Sequence, residues 1–231
     1  MRRLGVIAAV AFVLGPVLAW LRVVPALAGF ALFALGGLLG LIAAIAAVLR
    51  GVRGRGLGVG GAVAIVVAAV FVAIASRGRG VPQINDFTTD PADPPAFEHA
   101  QAIRANVGRD MRYPAAFAPA QQSCCSDLHP ARLRVPPAEA FARARSAAER
   151  MPSWTITQAD PGAGTIEAVA TTRVFGFQDD IVIRVRPDGD GASRVDMQSK
   201  SRDGQGDIGT NAARIRAFVG NLEHPDGAPV S

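Results

Sequence analysis

Three glycines near the C-terminus, Gly204, Gly206 and Gly209, spell the G-x-G-x-x-G of a dinucleotide-binding turn, set between a strand-like and a helix-like run. In that motif the glycines bring backbone N–H groups to a pyrophosphate, and an acid about twenty residues on holds a ribose hydroxyl. No second strand follows here to present such an acid, while Asp203 and Asp207 place negative charge where pyrophosphate would lie. The glycines are therefore expected to serve a tight turn with positive φ and a close contact between helix and sheet. Other reactive types are equally scattered. Asp179 with Asp180, or Glu167 with Asp196, has the chemistry for general acid–base work, but adjacent carboxylates at a strand start more often shape turns and pair with arginine. There is no G-x-S-x-G, and His99, His129 and His224 fall in separate loop or terminal regions. Cys124-Cys125, with Asp127 and His129 close behind, lacks the two-to-four-residue ligand spacing of zinc sites, and adjacency resists a simple mutual disulfide. Incidental loop cysteines or an oxidised pair are the expectation, and no catalytic residue, metal or cofactor is assigned.

What survives is a polar constellation: Glu167, Thr171, Asp179, Arg184, Asp196, Arg202, Asp207, Asn211 and Arg214, with Ser199 and Ser201 between them. One reading is a solvated sheet face laced with cross-strand ion pairs, each worth little in water. The other is that Arg202, Asn211 and Arg214 converge at the last turn on an anionic or polar ligand, since guanidinium forks suit carboxylate and phosphate.

The elements that would position these residues are legible from periodicity. Pro136-Pro137 opens a helix with Phe141, Ala144, Ala148 and Met151 on one face, running to Pro152. Strands are expected at 154–158, 165–173, 180–186 and 194–201, separated by short Gly, Pro and Asp turns, which implies an antiparallel meander of four strands. Alternation puts Ile166, Ala168, Ala170, Ile181, Ile183, Val185, Val195 and Met197 on one face. The opposite face then carries Glu167, Thr171, Arg173, Arg184, Arg186, Arg194, Asp196, Gln198 and Lys200. A terminal helix with Ile208, Ala212, Ile215, Val219 and Leu222 on its apolar stripe, and Asp207 as its cap, completes a two-layer α+β domain.

Upstream the composition changes. The first 80 residues carry eight arginines and no Asp or Glu, so the formal net charge of +5 belongs to the front of the chain and the remainder is slightly acidic. That excludes the basic, aromatic-interleaved surface of a nucleic-acid binder. Three uncharged runs, 4–21, 23–49 and 57–75, are each long enough to cross roughly 30 Å of hydrocarbon. Arg2, Arg3, Arg50, Arg53 and Arg55 outnumber Arg22, Arg77 and Arg79, which by the positive-inside rule puts the N-terminus in the cytoplasm and the C-terminal domain in the periplasm. A rival reading makes the first run a cleaved signal peptide ending at Ala26-Leu27-Ala28, and it leaves that topology unchanged. The spans hold no ionisable residue, and their glycines, including the G-x-x-x-G of Gly36 and Gly40, are expected as background composition. The expected organisation is an anchor over 1–76, an extended linker over 77–96, a soluble domain over 97–222 and a tail over 223–231.

Within the soluble part, Ile84-Asn-Asp-Phe-Thr-Thr-Asp-Pro-Ala-Asp-Pro-Pro-Ala-Phe97 resembles the opening of the domain-of-unknown-function 1499 family. The chain is similar to that family again at Tyr113-Pro114, Trp154, Ile166-Glu167-Ala168, Phe175-Gly176-Phe177 with Asp179-Asp180, and Ser199 to Ile215. The resemblance spans about Ile84 to Leu222 and implies a coherent domain without an established activity. Family members tend to read Tyr-Pro-Asp-Leu where this chain has Cys125-Ser126-Asp127-Leu128, which counts against a family-wide thiol function.

The expectation is a multi-pass protein of the cytoplasmic membrane, non-enzymatic, offering an envelope protein or anionic small ligand a binding domain, with no nucleotide or nucleic acid. The alternatives are a hydrolytic envelope enzyme using the carboxylates and arginines of the polar face, and a structural membrane assembly factor.

Overall fold

The computed structural model describes residues 2–76 and 78–224. Arg77, counted above in the charge balance, and the tail from Pro225 onward lie outside the described residues. The chain forms two compact units: the N-terminal part through Arg79 together with Thr172–Phe177, and Gly80–Thr171 together with the chain from Gln178 onward.

In the first unit the apolar runs become α1 (Arg2–Trp20), α2 (Ala26–Val52) and α3 (Gly58–Ser76), three helices long and apolar enough to cross a membrane. Pro25 precedes α2, and the reversal between α1 and α2 places Arg22 at φ 58°. The three helices pack on one another around Phe12, Phe33 and Phe71. Their glycines are contact residues, not background. A Cβ on Gly36 would lie 2.3 Å from the Phe12 nitrogen on α1, and one on Gly40 would lie 2.6 Å from Val67 on α3. With no hydrophobic force between helices in lipid, such close backbone approach supplies the packing. The G-x-x-x-G thus serves neighbours within the chain.

The second unit is an antiparallel sheet with helices. Its strands are β1 (Asp86–Thr88), β2 (Ala131–Leu133), β3 (Trp154–Asp160), β4 (Thr165–Thr171), β5 (Gln178–Pro187) and β6 (Ser193–Ser201). The expected meander is present as β3-β4-β5-β6. Beyond it, β6 pairs on its other side with two short strands: β1 opposite Gln198–Lys200 and β2 opposite Ser193–Val195. Three residues are too few to show alternation, so these strands were hidden in stretches that read as linker and irregular loop. β1 therefore makes part of the expected 77–96 linker a sheet element, with Ile84 and Phe87 buried in the core.

The short helices α4 (His99–Ala102) and α5 (Ala118–Cys125) precede α6 (Pro137–Arg150), and α7 (Thr210–Glu223) closes the domain. α6 and α7 cover one sheet face, burying the alternating set Ile166, Ala168, Ala170, Ile181, Ile183, Val185, Val195 and Met197. Phe141, Ala144 and Ala148 of α6 and Ala212, Ile215, Phe218 and Leu222 of α7 supply the other side of this core. Trp154 stacks on Phe218 with ring centroids 5.8 Å apart. The start of α7 departs from its periodicity. Ile208, expected on the apolar stripe, precedes the helix at φ 56° and is exposed, because Asp207 and Gly209 complete the turn there; Phe218 fills the core more deeply than Val219.

Candidate functional site

The face of the sheet away from α6 and α7 is not solvated. Asp180, Val182, Asp196, Gln198 and Glu167 are each at most 4 % exposed, because the chain between β1 and α5 lies across them. An apolar plug of Phe97, Ala100, Met111 and Val182 sits in the middle. The sequence held a sign of it, since Val182 interrupts the polar alternation between Asp180 and Arg184.

Around that plug the polar residues bond to the covering segment. The Glu167 carboxylate accepts hydrogen bonds from the backbone N–H groups of Glu98, His99 and Ala100 at 2.8, 2.8 and 2.6 Å, tying down the start of α4. Three donors on one carboxylate compensate its loss of water. At one end, Asp196 meets Arg184, Arg186 and Arg194 at 3.2, 3.2 and 2.8 Å. The excess positive charge is balanced from the covering segment, where Asp93 pairs with Arg184 and Arg186, and Asp90 with Arg194. Those two guanidinium partners hold the Asp93 carboxyl below its ordinary range.

At the other end, Asp180 is gripped by the Arg202 fork at 2.6–3.1 Å and by Asn106 at 2.9 Å, with Arg109 3.7 Å away. On the far side of β6 from it, opposite Lys200, Asp86 accepts from Lys200 at 2.8 Å and from the Gln198 amide. Burial pushes the Asp86 carboxyl up from 3.8 to about 6 despite the Lys200 charge. Burial and the Asp86 charge also raise the Tyr113 phenol, whose hydroxyl donates to Gln121.

The remaining members of the constellation lie on the helix-covered face. Asp179 pairs with Arg214 at 2.7 Å. Arg214 and the Ser199 hydroxyl both donate to the Asn211 carbonyl oxygen, and the Asn211 amide donates to Ser201 and to the Asn85 carbonyl. The N-cap of α7 is Gly209 and not the expected Asp207, which reaches in from two residues earlier to accept from the N–H groups of Gly209 and Asn211; burial raises its carboxyl. Gly204 and Gly209, at φ 81° and 80°, form the expected tight turn.

Two expected groupings therefore come apart. Asp179 and Asp180, being consecutive on a strand, point to opposite faces and cannot share a proton. Arg202 and Arg214 do not converge either: one holds Asp180 on the covered polar face and the other holds Asp179 beneath α7. Thr171 sits at the end of β4 opposite Gln178, outside these clusters. Asp86, Asp90, Asp93, Asn106 and Arg109 complete the arrangement, from a stretch whose sequence shows too little periodicity to place them on the sheet. Cys124 and Cys125 are joined to each other, while Asp127 pairs with Arg216 and His129 turns to the Pro130 carbonyl, so these four do not gather around a metal.

The raised carboxyl gives a pH prediction. Folded Asp86 binds a proton more tightly than unfolded Asp86, so between about pH 6 and 3.8 acidification favours the fold, and this contribution is lost as pH rises through about 6. Asp207, also raised, acts in the same direction. Asp93, Asp110 and Asp127 are lowered and act oppositely, below 3.8. Denaturant unfolding from pH 7 to 4 should therefore show a smaller acid-side gain in Asp86→Asn than in the parent; identical profiles would refute the assignment.

A family model described as a protein of unknown function (DUF1499) matches residues 86–222, beginning at the first residue of β1 and ending within α7. No curated protein matches the chain.

Proposed function

This chain belongs to the DUF1499 family of proteins of unknown function, and on that premise we propose that it is a non-enzymatic envelope protein whose three-span anchor holds an α+β partner-binding domain on the periplasmic side of the cytoplasmic membrane. The observation that carries this reading is the internal pairing of the candidate site. Arg184, Arg202 and Arg214 are bonded to buried carboxylates of their own domain, so the charged residues that invited a ligand act as its frame. A framed, rigid domain on a membrane tether suits display to a partner.

The topology rests on an odd number of crossings and on the arginines flanking them. Arg50 in the last turn of α2, with Arg53 and Arg55 between α2 and α3, joins Arg3 at the same end of the helical unit, the end assigned to the cytoplasm. A reporter enzyme active only in the periplasm, fused after Ser231, is expected to be active; an inactive fusion with a cytoplasmically active counterpart would reverse the assignment.

A second reading, a hydrolytic enzyme of the envelope, draws on Asp86, a carboxyl held at about 6 beside Lys200. Turnover by the purified chain that vanishes in a folded Asp86→Asn variant would favour it over the binding role.

A further inference from the structure

The hairpin loop between β4 and β5, Thr172–Phe177, belongs to the helical unit. It is closed on itself by hydrogen bonds from the Thr172 N–H to the Phe177 carbonyl and from the Gly176 N–H to the Thr172 carbonyl. Phe175 packs edge-on against Phe30 and Phe33 of α2, with centroids 5.5 and 5.8 Å apart, and Phe177 lies 5.9 Å from Phe30. Gly176, at φ 78°, leaves room for the Arg22 guanidinium, which would collide with any Cβ there. The loop is thus seated at the end of the helical unit where α1 finishes and α2 begins.

That end bears the marks of a membrane interface. Trp20 at the end of α1 is 63 % exposed, and aromatic side chains of this kind collect at the level of the lipid headgroups. Phe30 lies four residues into α2, roughly 6 Å along the helix axis, and is itself partly exposed on the surface that α2 offers to lipid. Beside Phe175, the loop presents Val174, 46 % exposed, next to an exposed Arg173. An outward apolar side chain flanked by a guanidinium is the pairing that interfacial segments use, the one for the acyl boundary and the other for phosphate oxygens.

We infer that Thr172–Phe177 is an interfacial membrane-docking loop, with Val174 inserted among lipids beside Phe30 and Arg173 at headgroup level. The loop's partner is lipid, and the inference rests on the membrane-spanning reading of the three helices.

The test is site-directed spin labelling of the full-length chain reconstituted in phosphatidylcholine/phosphatidylglycerol vesicles, comparing collisions with oxygen, which enters lipid, and with a water-soluble nickel chelate. Cys124 and Cys125 are joined to each other, so single introduced cysteines can be labelled under non-reducing conditions. Val66→Cys, on the exposed face of α3, serves as the lipid control, and Gln158→Cys, exposed on β3, as the aqueous one. Val174 is exposed, so Val174→Cys leaves the packing intact. Its label is expected to favour oxygen over nickel, with the sign shown by Val66. A label that favours nickel like Gln158, or one shielded from both reagents by protein, would overturn the inference. If the Val66 label itself reads as aqueous, the spanning reading has failed; if only the Val174 label does, the loop alone has.

Discussion

Asp196→Ala is expected to be among the most destabilising single substitutions in the sheet domain, costing about 3–5 kcal/mol, the range for breaking a buried ion pair from one side. The Asp196 side chain is fully buried, and removing it leaves Arg184, Arg186 and Arg194 close together with only Asp90 and Asp93 as counter-charges. The three guanidiniums keep partial contact with water, which places the expected loss toward the lower end of that range. Asn at this position keeps the shape and removes the charge, so Asp196→Asn should lose most of the same stability. Chemical denaturation of the parent and both variants measures this. A change within about 0.5 kcal/mol, as for an ordinary surface substitution, would mean that the cluster is solvated and the covering segment loose.

Glu167→Ala carries the second large effect, by a different mechanism. Its carboxylate accepts from three backbone N–H groups at the start of α4. Hydrogen bonds to a charged group contribute about 1.5–3 kcal/mol each, and their losses at one site are not additive, so about 3 kcal/mol is expected overall. The damage should also be local. Residues 97–106 would loosen while the core of β4, β5 and β6 with α6 and α7 persists, whereas Asp196→Ala should act at the opposite end of the covered face. Parallel global unfolding in both variants, with no difference in where protection is lost, would count against this division.

The helical and strand framework was legible because it rests on periodicity: three uncharged runs, an alternating meander, and two amphipathic helices whose apolar stripes match the sheet. What periodicity cannot show is what covers the second sheet face. Glu167, Arg184, Asp196 and Arg202 have the polarity of solvent-facing residues, and alternation alone cannot distinguish water from a folded-back segment of the same chain. The covering segment is irregular and proline-rich, with a three-residue strand and a four-residue helix, too short to produce a pattern. Its clues were individual residues. Asp86, Asp90 and Asp93 recur in a stretch read as linker, and each meets a cation of the sheet. The same limit explains the anchor glycines: composition locates a small residue, but the facing Phe12 and Val67 are known only once the helices are placed.

The candidate residues form the internal frame of the domain under a fixed cover. Amide hydrogen exchange at Glu98, His99 and Ala100 tests it most directly. Slow exchange of these three amides is expected in the parent chain and a loss of their protection in Glu167→Gln, with the amides of β5 and β6 still protected. Rapid exchange at all three positions in the parent chain would contradict it, because the face would then be open to solvent and its carboxylates and arginines free to meet a ligand.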